Sequence, residues 1–421
     1  MTELPRLLGD FEPVPGLIKA DYADFVVEEI PLYPADGAGT HTYFLVEKAG
    51  LTTDQAVRDI AHALNRPRHD VGVAGLKDAR AITRQWMSVE HVDAQQVASL
   101  QIPRLRVLET THHTNKLRLG HLKGNAFVIK VRQTQAERLA ELQDALAKLA
   151  RLGVPNYFGA QRFGYRGDTW MVGRAIVAGQ VEEAMDLLLG RPGPADHGNV
   201  RRARELYERS QYLEAAHAWP ALFKTERRAL KTLARTEGKR RRAFAAIDKT
   251  TRTFYVSAYQ SYLFNQVLMA RLPSGLGQLW DGDLAWLHAS EAVFRVEHAA
   301  VEQPRADALQ ISPSGPVLGY RMSQPTGLAG ELESRILAAA GAARDAFRQG
   351  SLRAKGNRRP LRFPVEDAHL SLGADGRGAY LELRFALPRG CYATALLCEL
   401  FCAVGSDEEQ TETERAEAPA P

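Results

Sequence analysis

Val73-Ala74-Gly75-Leu76-Lys77-Asp78-Ala79-Arg80-Ala81-Ile82-Thr83-Arg84-Gln85 changes character twice within a few residues. An apolar run from Val71 to Ala74 stops at a glycine, and a cation and a carboxylate follow at once. Thr83, Gln85, Met87 and Val89 then alternate with Ile82, Arg84, Trp86 and Ser88. The pattern predicts a buried strand, an exposed turn carrying Lys77 and Asp78, and a return strand. A carboxylate on a loop between two strands is held by a rigid frame, which suits chemistry. An isolated Gly-x-Lys-Asp reads more readily as a plain turn capped by Asp78, with Lys77 solvated beside it. The choice rests on the remainder of the chain.

Upstream, Lys19 to Glu29 begins charged and turns apolar at Phe25-Val26-Val27, as a strand entering a sheet does. Gly37-Ala38-Gly39 makes a turn before a second strand, His41 to Val46, in which His41 reads as a hydrogen-bonded structural histidine. Thr52 and Gln55 form a capping box, and Ala56, Val57, Ile60, Ala61 and Leu64 follow at helical spacing until Asn65 and Pro67 stop the helix. Downstream, His112 and His113 precede a basic run of Lys116, Arg118 and Lys123. Adjacent histidines point apart, so a metal site is not expected there. A strand with Phe127, Ile129 and Val131 on one side follows, then a helix expected from Thr134 with Leu139, Leu142, Leu146 and Leu149 on one face, closed by Gly153 and Pro155.

Together these stretches resemble the tRNA pseudouridine synthase D (TruD) family. The signature is Gly75-x-Lys77-Asp78-x-x-Ala81-x-Thr83-x-Gln85, and four further blocks agree in content and order. They are Lys19 with Asp24-Phe25-Val26-Val27-Glu28; Lys116-Leu117-Arg118-Leu119-Gly120 with Lys123-Gly124-Asn125-Ala126-Phe127; Val154-Pro155-Asn156-Tyr157-Phe158-Gly159-Ala160-Gln161-Arg162-Phe163-Gly164; and Leu387-Pro388-x-Gly390-x-Tyr392-Ala393-Thr394. Ser257 to Asn265 resembles a further helix of the family. The resemblance implies an α+β fold: a pseudouridine synthase catalytic domain, with a mixed, mainly antiparallel sheet and flanking helices, into which an α/β TRUD domain is inserted. On that basis residues 1–152 and 363–405 form the discontinuous catalytic domain, 153–362 the insertion, and 406–421 a disordered acidic tail.

The resemblance makes Asp78 the catalytic carboxylate and Lys19 its partner. Phe25 occupies the place where other pseudouridine synthases use tyrosine. Asn125 has a hydrogen-bonding role, Phe127 a stacking role against the target base, and Tyr392 sits at the mouth of the last turn. Read from periodicity alone, Lys19 is a surface lysine and Phe25 and Phe127 are core residues. The candidates for RNA contact are Lys77, Lys116, Arg118, Lys123, Gln161, Arg162, Arg240 and Arg241. The last two belong to Lys224–Arg242, which holds nine cations and two acids and reads either as a phosphate grip or as a solvated helix surface.

At 421 residues, 45% hydrophobic and 25% charged, the chain has the make-up of a soluble protein of about two domains. Its net charge of +4 hides a more basic body, because the last sixteen residues carry six acids against one arginine and leave a surplus of nine cations on the first 405. That sign suits a polyanionic partner. Cys391, Cys398 and Cys402 lack the spacing and the fourth ligand of a zinc site and read as buried reduced thiols on a helix that runs from Tyr392 to Val404. No apolar run approaches a membrane span and the N-terminus is no signal peptide, so a cytoplasmic monomer is expected, with tRNA as partner and neither cofactor nor metal. Pseudouridine formation breaks the bond from uracil N1 to ribose C1′ and rejoins the base through C5, which needs no redox group. It needs an ionised carboxylate, expected in a mostly apolar pocket with Lys19 fixing its direction. A glycosidase would want a second carboxylate near Asp78, and none is close in sequence. The other class of reading is an RNA-binding or RNA-chaperone protein that keeps this fold without the chemistry.

Overall fold

A computed structural model describes residues 4–348 and 353–402, and the acidic tail lies outside them. The chain forms two compact units, one of Arg6–Val154 with Phe363–Ser406 and one centred on Pro155–Arg362.

The first unit is built on an eight-stranded sheet. Across it run Glu366–Asp375, Gly378–Pro388, Leu122–Val131, Phe25–Pro31, Ile82–Glu90, His41–Ala49 and Leu105–His113, with Gly72–Val73 also paired to Ile82–Glu90. All of these pairings are antiparallel except that of Phe25–Pro31 with Ile82–Glu90. Val27 lies opposite Phe127 and Phe127 opposite Phe385, so the alternating apolar residues of three strands share one face. The helix Leu139–Leu152 covers that face with Leu142, Leu146 and Leu149. On the strands beyond, Phe44, Val46, Met87 and Val89 pack with Val57 and Ile60 of the helix Thr53–Ala63. Thr52 caps this helix as expected, accepting the Gln55 N–H at 3.0 Å.

Three local expectations change. Thr134 caps nothing; a short 3-10 turn, Ala136–Arg138, leads into the helix at Leu139. The last helix ends at Leu400, because Phe401–Cys402 pairs in parallel with Val14–Pro15 and takes the chain out of helical geometry. The cysteines form no disulfide, but Cys398 and Cys402 are exposed and only Cys391 is half-buried, because the buried stripe of that short helix is taken by Leu396, Leu397 and Leu400.

The second unit opens with helices, among them Thr169–Val177, Val181–Leu189, Gly198–Glu208, Lys224–Arg235 and Arg240–Ala246, around Met185, Leu189, Trp219 and Leu230. The 23-residue helix Lys249–Arg271 follows, and then an antiparallel sheet of Val293–Arg295, Leu284–Leu287, Ile311–Val317 and Asn357–Pro360. Among the described residues no helix is long and apolar enough to cross a membrane.

Candidate active site

Between Val73 and Ile82 the chain leaves the sheet in a loop without regular structure, and its backbone polar groups are taken up by side chains beneath it. The Gln85 amide donates to the Gly75 carbonyl at 3.3 Å. Thr53 Oγ1 accepts the Lys77 N–H at 2.8 Å and donates to Gln85 Oε1 at 3.1 Å. Lys48 Nζ donates to the carbonyls of Leu51 at 2.5 Å and of Asp78 at 3.4 Å. Lys77 Nζ meets Glu29 Oε2 at 2.6 Å, with the two side chains 4% and 1% exposed. Gly75 makes this close packing possible, since a Cβ there would lie 2.8 Å from Lys77 Nζ and 3.3 Å from Glu29 Oε2. Gly75, Lys77 and Gln85 of this stretch, with Thr53 and Lys48 from outside it, thus fasten from beneath the loop that carries Asp78.

Burial shapes the electrostatics under the loop. It pushes the Glu29 carboxyl above its ordinary value, opposed by the Lys77 ammonium, and it pulls Lys48 down to about 8. Both groups stand at inward positions of their strands, Glu29 in step with Phe25 and Val27, and Lys48 in step with Phe44 and Val46. A charge at apolar parity was the available sign of a buried pair, and reading for chemical motifs alone passed over both residues.

Lys19 Nζ lies 3.2 Å from Asp78 Oδ2 and 4.5 Å from the centre of the Phe25 ring. The backbone at Lys19 is left-handed, with φ of 58°, a conformation that costs a non-glycine residue about 1 kcal/mol or more and is kept where the surroundings enforce it. Here the main chain of Leu17 exchanges two hydrogen bonds with that of Arg132, at 2.9 Å each, and Ile18 is buried in the core. Phe25 meets Phe127 edge-on at 6.2 Å, and Asn125 stands two residues before Phe127, opposite Glu29. The Asn125 side-chain oxygen is buried with no donor.

The expectation of an apolar pocket around Asp78 needs correction. Its side chain is 54% exposed, because Lys77 takes the inward position and the next residue is turned outward. Phe127 is 8% exposed and stacked face to face on Phe385 at 5.0 Å, so that face is closed to a base and Phe127 acts as a floor for Phe25. Tyr392 is partly exposed at the head of the helix Ala393–Leu400.

The candidate RNA contacts divide. Lys77 is withdrawn by its burial against Glu29. Lys116 is half-buried and donates to the His69 carbonyl. Arg118 and Lys123 are exposed, and neither has a carboxylate partner among the described residues. In the second unit Gln161 is exposed, whereas Arg162 donates to Ser261 Oγ at 3.4 Å and to Ser257 Oγ and so braces the long helix. Arg240 is held by Asp186 at 2.9 Å and by the Tyr207 hydroxyl at 3.2 Å, which makes it a tie between helices. Arg241 pairs with Glu182 at 3.2 Å while largely exposed. His41 is buried with its Nε2 3.6 Å from Glu90 and its Nδ1 without a partner, so the expected hydrogen-bonded histidine makes only this loose contact.

The sequence model of the family described as tRNA pseudouridine synthase D (TruD) matches residues 3–400. A relative from Geobacter metallireducens named tRNA pseudouridine synthase D is 45% identical over 386 residues, which cover 91% of this chain and 94% of that one. One of the same name from Geobacter sulfurreducens is 43% identical, covering 93% and 95%. A crystal structure from Methanosarcina mazei described as a tRNA pseudouridine synthase D superposes with a TM-score of 0.79 at 26% identity, over 93% of this chain and 94% of the other. With the match spanning nearly all of the sequence, including the sheet and the loop that carry Lys19 and Asp78, this chain belongs to the tRNA pseudouridine synthase D family.

Proposed function

We propose that the protein is a tRNA pseudouridine synthase that isomerises a uridine of tRNA, with Asp78 as the acting carboxylate. The observation that carries this reading is the Lys19–Asp78 pair at 3.2 Å, on a loop fastened from beneath and open above. The reaction breaks N1–C1′ and forms C5–C1′; the proton lost from C5 is balanced by one gained at N1, so product and substrate are isomers. Asp78 acts on the ribose or the base, and nucleophilic attack and proton removal both use the same solvent-facing oxygen. Lys19 fixes the carboxylate's direction and offsets its charge, and the buried Phe25 ring lies under the Lys19 ammonium. Asn125 hydrogen-bonds the base, and Tyr392 offers an exposed aromatic edge to it. Arg118 and Lys123 contact phosphates. The helical unit is the inserted TRUD domain, and its cationic surface between Lys224 and Arg242 holds the body of the tRNA. We place the target at position thirteen of tRNA, as the family resemblance implies.

Mapping pseudouridine in tRNA before and after treatment with the protein tests this. Because the isomers have equal mass, the RNA is first derivatised with acrylonitrile and then read by mass spectrometry. One new pseudouridine with wild type and none with Asp78→Asn is the expected result. Unchanged RNA with wild-type protein that still binds tRNA would favour the silent binding protein.

A further inference from the structure

Leu76 is 74% exposed although Lys77 beside it is buried. Its loop is no loose surface segment, since Gly75, Lys77 and Asp78 are each tied to side chains below. The leucine is therefore presented by the same frame that presents Asp78. A second leucine, Leu119, is 67% exposed on the adjoining loop, which is joined to the first where the Gly120 N–H donates to the Ala74 carbonyl at 2.8 Å. Arg389 secures that loop from the other side, donating to the Gly120 carbonyl at 2.7 Å. Single exposed leucines are ordinary. Two on joined, tethered loops, one two residues before the acting carboxylate and the other next in sequence to the exposed Arg118, with Lys123 exposed shortly after, put apolar and cationic side chains on the same pair of loops.

A polyanion that must open locally fits such a surface. A uridine stacked in folded RNA reaches Asp78 only by leaving its stack, and the gap it leaves is apolar and unfilled. Proteins that part stacked bases do so with short apolar side chains of this kind, set among phosphate-binding cations. We propose that Leu76 is the wedge that enters the stack when the target uridine leaves it, with Leu119 supporting it from the neighbouring loop. The proposal rests on the reading of the Asp78 site as one that acts on a uridine in folded RNA.

The test uses the full chain carrying Asp78→Asn, which binds without turning over, and a tRNA with 2-aminopurine next to the uridine mapped as the product site. Binding raises the probe's fluorescence as its neighbour leaves the stack. Adding Leu76→Ala is expected to cut that rise about tenfold while tRNA affinity changes by about threefold or less, and Leu76→Met is expected to restore most of it. In the otherwise wild-type protein Leu76→Ala lowers kcat more than it raises KM. A rise that survives Leu76→Ala overturns the wedge while leaving the proposed reaction intact. No pseudouridine from wild type overturns the reaction itself, and the wedge with it.

Discussion

Two places in this chain look alike as strings of charge and differ as structures. Around Asp78, three lysines gather within a short span of space, and two of them serve the protein itself: Lys77 is locked against Glu29, and Lys48 donates to the carbonyls of Leu51 and Asp78. Of the three, Lys19 is the one that pairs with the carboxylate facing solvent. Between Lys224 and Arg242 the cations are many, and most are exposed; Arg240 is committed to Asp186 and Tyr207, while Lys224, Lys231, Lys239 and Arg242 have no carboxylate partner among the described residues. A cation's neighbours, and not the density of positive charge around it, decide whether it grips a ligand or its own chain.

The contrast can be broken at its sharpest point first. Asp78→Asn is expected to lower turnover by about a thousandfold or more, with tRNA affinity nearly unchanged, measured by product mapping and filter binding. An equal loss of affinity would make Asp78 a binding residue. Next, Lys77→Met leaves Glu29 buried without its partner and is expected to cost about 3–5 kcal/mol in denaturant unfolding. Pairing it with Glu29→Leu should recover most of the loss, whereas a solvated Lys77 would show almost none to recover.

The helical run calls for the opposite experiment. Reversing Lys224, Lys231, Lys239 and Arg242 to glutamate is expected to weaken tRNA binding and to make the slope of log affinity against log salt shallower by about 3, with folding intact. Arg240→Gln should leave that slope where it was and lower stability instead. A flat response to the four reversals would return the run to an ordinary solvated surface.

The smallest effect concerns pH. Burial holds Lys48 at about 8, below its ordinary 10.5. Between those values the unfolded chain keeps a proton that the folded chain has released, so this group adds stability as pH rises across the window, and its cost is fully present below it. Lys48→Met should remove that rise, as seen by comparing denaturation midpoints of the two proteins across the window.

Alternation in Phe25–Val27, Phe127–Val131 and Leu381–Phe385, the Thr52 cap and the Gly-x-Lys-Asp turn were all local signals, because strand parity, caps and turns are set by residues a few positions apart. They were enough to mark the sheet, its first helix and the loop of Asp78. Residue types in order along the chain also carried the family, since the matched blocks are themselves sequence. The partners of the charges were not legible from local pattern: Glu29 and Lys77 are 48 residues apart and were not paired in advance, and Lys19 and Asp78, 59 apart, were paired through the family resemblance alone. Only the register of Phe25–Pro31 beside Ile82–Glu90 and of its other neighbour, Leu122–Val131, brings them together, and register is a property of the assembled sheet. For the same reason the tertiary structure alone decided that Lys77 turns in while Leu76 and Asp78 turn out, since one buried carboxylate beneath the loop has room for one cation.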